Sequence, residues 1–111
     1  MVKDTIYSLC SKYAPSYYGW SSETRTPRFM LQLIWAGSKR LSGARHHRKF
    51  LYQINYISDK PLDVEKDEML NSLITDVEEK GYNTNDWQEQ IDVDEKYNDA
   101  IYVYWLEVRN Y

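Results

Sequence analysis

Cysteine is almost absent from this chain, since Cys10 is the only one. An internal disulfide is therefore impossible, and a structural zinc site of the multi-cysteine type is excluded. Cys10 follows Leu9 in an apolar helical stretch with no histidine close in sequence, so we interpret it as a small buried hydrophobe rather than a nucleophile.

Long hydrophobic runs are also lacking. The longest nearly apolar stretches, residues 29–36 and 100–106, are far shorter than the ~20 residues that a membrane-spanning helix requires. The first residues include Lys3 and Asp4 and contain no continuous apolar segment of the export-signal type. We expect a soluble protein with no membrane partner.

Signatures of catalysis and metal binding are missing as well. The sequence has no G-x-S-x-G, no phosphate-binding glycine loop and no H-E-x-x-H. His46 and His47 are adjacent, so in a strand they point to opposite faces and cannot by themselves close on one metal ion. The acidic run from Asp92 has Tyr97 where a calcium loop needs glycine and Val103 where it needs the last carboxylate. The sequence predicts no enzyme, no metal and no cofactor.

Aromatic residues, by contrast, are abundant: eleven Tyr and four Trp in 111 residues. Such side chains bury a large area and keep a polar group for a wet boundary. They suit both the core of a small sheet domain and an interface, and the composition leaves both roles open. The length and the 42% apolar content predict one globular domain over residues 1–111.

The net charge of −3 conceals a strong segregation along the chain. Residues 1–62 contain ten Lys and Arg against three acids, a balance of +7, whereas residues 63–99 contain thirteen acids against three Lys, a balance of −10. This asymmetry favours either nucleic acid on the basic half or head-to-tail contact between copies.

Apolar periodicity predicts a first helix carrying Val2, Ile6, Leu9 and Tyr13, which ends near residue 14 before Pro15. A short edge strand and a loop follow over residues 16–27. Residues 28–35 and 49–58 alternate as strands and predict an antiparallel hairpin. We call its tip the basic arm, a flexible, projecting stretch whose charged or polar members are Lys39, Arg40, Arg45, His46, His47, Arg48 and Lys49.

A second helix is predicted over residues 63–80, with Gly81 as its cap, followed by a weak strand over residues 87–93. The last strand, residues 100–108, is apolar on both faces, yet two helices cover about one face of a sheet. We therefore predict an α+β fold: an antiparallel four-stranded sheet with two helices packed on one face and a projecting β-hairpin arm. Another subunit would complete the sheet, and the candidate aromatic interface residues are Tyr102, Tyr104, Trp105 and Trp20.

The order of elements resembles the tail terminator, or tail-completion, proteins of tailed bacteriophages and phage-like particles. The resemblance covers most of the chain. It rests on the proline-led strand Thr26-Pro27-Arg28-Phe29-Met30-Leu31-Gln32-Leu33-Ile34 and on Arg45-His46-His47-Arg48 leading into Phe50-Leu51-Tyr52-Gln53-Ile54-Asn55-Tyr56. An acidic helix and an aromatic C-terminal strand follow.

The resemblance implies a structural virion protein, assembled in the host cytoplasm as a hexameric ring that caps the tail tube and joins it to the head connector. Its partners would be the tail tube protein, a head-closure or connector protein, and DNA passing through the lumen. The basic arm would then contact a neighbouring subunit or the lumen. Two alternatives stay open: a nucleic-acid-binding accessory protein that uses the arm with Tyr17, Tyr18 and Trp20 as stacking groups, or another head-tail connector or tube component.

Overall fold

The structure is a computed structural model that describes residues 2–19, 27–41, 44–94 and 99–111, without the side chains of residues 38–48, 94 and 99. In chain order its elements are α1 (Val2–Ser11), β1 (Ser16–Tyr18), β2 (Arg28–Leu41), β3 (Ala44–Ser58), α2 (Glu68–Glu79), β4 (Asn83–Thr84), β5 (Gln88–Asp94) and β6 (Asp99–Arg109). The α+β class with two helices is confirmed.

The six strands form one mixed sheet in the order β1-β2-β3-β6-β4, with β5 also paired to β6. The prediction of four antiparallel strands is wrong in two respects. First, β1 pairs with β2 in parallel. Second, the outer edge of β6 carries two successive strands, with β4 opposite Arg109 and Val108 and β5 opposite residues 99–105. Asn85 joins the two, because its Oδ1 accepts a 2.8 Å hydrogen bond from the backbone N–H of Glu107.

The β2–β3 hairpin is longer than the sequence predicted. Residues 36–41 and 44–48 were expected to be a flexible stretch, but their backbone continues both strands to the pair Leu41 and Ala44. Two register shifts interrupt the ladder, between Leu33 and Trp35 and between Lys39 and Arg40. The pairing of β3 with β6 begins only at Leu51, so among the described residues the outer part of the hairpin is a two-stranded ribbon.

Both helices pack on the same face of the sheet. Phe29, Tyr56 and Tyr104 are cross-strand neighbours on that face, and the next row is Leu31, Ile54 and Leu106. These side chains are at most 8% exposed and contact the apolar stripes of the helices. The helix residues in this core are Ile6, Leu9, Cys10, Leu70, Leu73 and Val77.

Helix α2 begins five residues later than predicted. Asp63 closes only a single turn, in which its carbonyl accepts from the backbone N–H groups of Lys66 and Asp67. Asp67 is the N-cap instead, and its carboxylate accepts from Leu70 N at 3.0 Å. The predicted C-terminal cap is confirmed: Gly81 has φ of 89°, and its N–H donates to the carbonyl of Glu78 at 2.9 Å.

The two helices are linked by polar contacts just beyond the end of α1. The Asp76 carboxylate accepts hydrogen bonds from the Tyr13 hydroxyl and from Lys12 Nζ, the latter at 3.2 Å. The bond from Tyr13, followed by the contact with Lys12, lowers the pKa of Asp76 below its ordinary value. The same bond raises the pKa of Tyr13 to about 12.

We expect Asp76→Asn to destabilise the subunit near neutral pH by about 1 kcal/mol, which is less than a hydrogen bond to a charged group usually contributes, because Asp76 keeps some solvent contact. A carboxylate whose folded pKa is lowered stabilises the fold above its unfolded pKa. That contribution disappears as the pH falls through the lowered folded value. Urea unfolding from pH 7 to pH 3 should therefore show the variant and the wild type converging under acid. Glu78→Gln, an exposed acid on the same helix, is the control and should show no such convergence.

Candidate functional site

Tyr104, predicted as an interface aromatic, lies in the subunit's own core. Its side chain is fully buried, and its hydroxyl accepts from Leu62 N at 2.6 Å and donates to the Glu89 carboxylate at 2.7 Å. Burial raises the pKa of Tyr104 to about 12, and Glu89 adds to the effect. Tyr104 is therefore unavailable to a neighbouring subunit, and its assignment as an interface residue is wrong.

Trp105 points the other way, to the sheet face opposite the helices, because successive residues of a strand alternate sides. We call this the open face. Trp105 lies between Asn55 and Gln88 in the register, and Val103 lies between Ile57 and Gln90. These two β6 side chains are half-buried, and no described helix or strand covers them. Tyr102 is on the helix side, also half-buried, at the margin of the core.

The open face is apolar at one end and polar at the other. A shallow depression of about 290 Å³ occupies its apolar end. The residues that line it are Gly19, Met30, Leu31, Gln32, Asn55, Ile57 and Val103. The next cross-strand row is Gln32, Gln53 and Glu107. A surface of this mixed kind is typical of a protein interface rather than of a core.

The strand register places residues of the basic arm on both strands of the hairpin. Lys39 is opposite His47, Arg40 is opposite Arg45, and Ser38 is opposite Arg48 in the β2–β3 ladder. The sequence predicted a projecting hairpin arm with a flexible stretch over residues 36–48, and the register extends the ladder into that stretch as far as the pair Leu41 and Ala44. The arm is thus a ribbon with positively charged residues on both strands, which concentrates charge in a small region.

Asn110 and Tyr111 contact residues at the base of this arm. The ring of Tyr111 is 5.9 Å from that of Trp35, edge to face, and Lys49 Nζ lies 5.4 Å from the Tyr111 centroid. The side chain of Asn110 accepts from Phe50 N at 2.7 Å. Gly37 allows this arrangement, because a Cβ at that position would lie 2.8 Å from the Trp35 ring.

Exposed apolar side chains lie along two edges of the sheet, and this arrangement was not predicted from the sequence. Among the described residues, eight large apolar side chains are exposed, and five of them are on β2 or β5. These five are Leu33, Ile34, Trp35, Ile91 and Val93. The available signal was the alternation of Ile91 and Val93 with acids, which marks a strand with one apolar face.

Other predicted residues remain untested. Trp20 lies outside the described residues. Tyr17 is half-buried, and Tyr18 is exposed with Lys3 Nζ 4.3 Å from its ring centroid. The described part of the chain contains no group of three potential metal-ligating side chains, and none of its helices has the length and apolar character needed to cross a bilayer. Neither a protein-family model nor a curated protein matches the chain.

Proposed function

We propose that this protein is a structural subunit that assembles with copies of itself into a ring, and that the ring caps the tail tube of a phage or phage-like particle as a tail terminator. The observation that supports it best is strand β6, whose two faces are both apolar while the helices pack against only one. Tyr104, Leu106 and Val108 contact the helices, whereas Val103 and Trp105 lie on the open face.

The energetics favour a second protein surface over water on the open face. Burying apolar surface contributes roughly 25 cal/mol per Å². On the open face, half-buried aromatic and aliphatic side chains are bordered by the side-chain amides of Gln and Asn residues. This arrangement matches the apolar core and polar rim of subunit interfaces. The tail-terminator role in particular comes from the resemblance of the sequence. The charge segregation also supports a ring, because opposite charges on two parts of one subunit favour head-to-tail contact.

The cations on both strands of the basic arm favour a second candidate, binding of nucleic acid by phosphate contacts. The overall charge of −3 argues against it as the main function, since dedicated nucleic-acid-binding domains are usually basic. In a ring, the same cations could contact an acidic neighbour or DNA in the lumen.

Mass measurement by light scattering, together with negative-stain electron microscopy of the purified protein, tests the proposal. Rings of uniform diameter that bind the end of a tail tube are the expected result. A protein that stays monomeric at high concentration and retards duplex DNA in a gel would instead support the accessory binder. Rings that stack into long tubes would point to a tube component.

A further inference from the structure

Two edges of the sheet lack a neighbouring strand within the part of the chain that the structure describes. One is the outer edge of β2 over residues 32–41, because β1 pairs with β2 only as far as Leu31. The other is the outer edge of β5, which pairs with β6 on its inner side. We infer that these edges bind each other between copies, β2 of one subunit beside β5 of the next, so that the sheet continues around the ring. This inference rests on the proposed function.

Backbone hydrogen bonds identify which groups of β2 point outward. Phe29 N–H donates to the carbonyl of Pro15 at 2.8 Å, and Leu31 C=O accepts from Gly19 N at 2.7 Å. Alternate residues of a strand direct their backbone groups to the same edge, so those of Leu33 come next on this side. Beyond the last described partner, β2 therefore offers donors and acceptors to an added strand.

The side chains on both edges suit pairing rather than solvation. Leu33, Ile34 and Trp35 are 42–46% exposed on β2, and Ile91 and Val93 are 59% and 64% exposed on β5. Natural proteins usually protect a free edge with lysines, prolines or bulges. On the β2 edge these features are a bulge at Ile34 and, at the outer end of the hairpin, Lys39 with a second register shift beside it, whereas β5 has neither lysine nor proline.

Charge decides which edge pairs with which. Strand β5 contains Glu89, Asp92 and Asp94 and no cation, whereas the unpaired part of β2, residues 32–41, contains Lys39 and Arg40 and no acid. Two copies of either strand would repel each other, but β2 and β5 attract. The contact is therefore head-to-tail, with a different edge used by each partner, and repetition of such a contact closes into a ring when the rotation between subunits permits.

Two double variants test the pairing by giving each edge the charge of its proposed partner. Leu33→Glu with Ile34→Glu makes the β2 edge acidic, and Ile91→Lys with Val93→Lys makes the β5 edge basic. All four side chains are exposed, so the fold should survive, as circular dichroism and melting would verify. We expect each variant alone to need at least a tenfold higher concentration than the wild type to assemble.

Mixing the two variants gives the decisive measurement. Each retains one unmodified edge, and the two unmodified edges are complementary, so the mixture should form complexes that contain both proteins, the smallest being a one-to-one dimer. Light scattering and native mass spectrometry would detect them. Tyr7→Glu, a change at an exposed aromatic on α1, is the control and should assemble like the wild type.

Three results would overturn the inference. If the wild type forms rings and both variants still do, the edges are not the interface, although the proposed function stands. If the wild type forms rings while the mixture of variants stays monomeric, the contact is not head-to-tail through these edges. If the wild type never assembles, the proposed function itself fails. Single changes, Leu33→Glu and Ile91→Lys, replace the double variants if either double variant melts below the assay temperature.

Discussion

Tyr104→Asp is expected to unfold the subunit. The change removes a fully buried aromatic ring and leaves the backbone N–H of Leu62 without its acceptor. It also introduces a carboxyl group close to Glu89, which the tyrosine hydroxyl now contacts at 2.7 Å. Loss of a large buried side chain alone costs about 3–5 kcal/mol, and an unpaired buried charge adds to that. The total is comparable with the whole stability of a small domain, about 5–15 kcal/mol.

Trp105→Asp is the matched control, since the same residue is introduced one position along the same strand on the opposite face. We expect a folded monomer, destabilised by about 1 kcal/mol through the poor strand propensity of aspartate, with assembly strongly reduced. Thermal melting with sedimentation velocity would separate the two outcomes. A folded Tyr104→Asp protein would mean that the helices do not pack on Tyr104. If the Trp105→Asp protein assembles normally, the open face is not part of the interface.

The features that the sequence predicted correctly are those set by local periodicity. The alternation in residues 49–58 and 100–108 identified β3 and β6, and the register confirms that Tyr104 and Trp105 lie on opposite faces. Pattern alone could not say which of the two was buried, because both are aromatic. That choice depends on Leu62 and Glu89, whose contacts with Tyr104 join distant parts of the chain.

Features that depend mainly on backbone pairing between strands were not predicted from the sequence. Residues 36–48 lack regular apolar alternation, so they were interpreted as flexible, yet β2 continues to Leu41 and β3 begins at Ala44 because the two strands pair with each other. The parallel pairing of Ser16 with Phe29 has no local sequence signal either. Asp63 and Asp67 are both good N-cap residues, and only the packing of Leu70 and Leu73 decides which one begins α2.

The second large effect is expected in the basic arm. We predict that changing its five cations to serine leaves the melting temperature of the monomer nearly unchanged but reduces assembly by one or more orders of magnitude. The residues to change are Lys39, Arg40, Arg45, Arg48 and Lys49. Exposed ion pairs are each worth no more than about 1 kcal/mol, but several act together at each contact, and 1.4 kcal/mol is a factor of ten in affinity. Added salt should weaken wild-type assembly in the same direction.

Removing five cations also lowers the net charge from its value of −3, so a control must separate position from total charge. Serine at Lys3, Lys60, Lys66, Lys80 and Lys96 gives the same change of charge outside the arm. If the charge acts through the arm, this control assembles far better than the arm variant at equal salt. An equal loss of assembly in the arm variant and the control would mean that the effect comes from general repulsion between acidic subunits. An arm variant that assembles normally but no longer retards DNA would instead assign the cations to nucleic acid, because phosphate contacts are lost without any change between subunits.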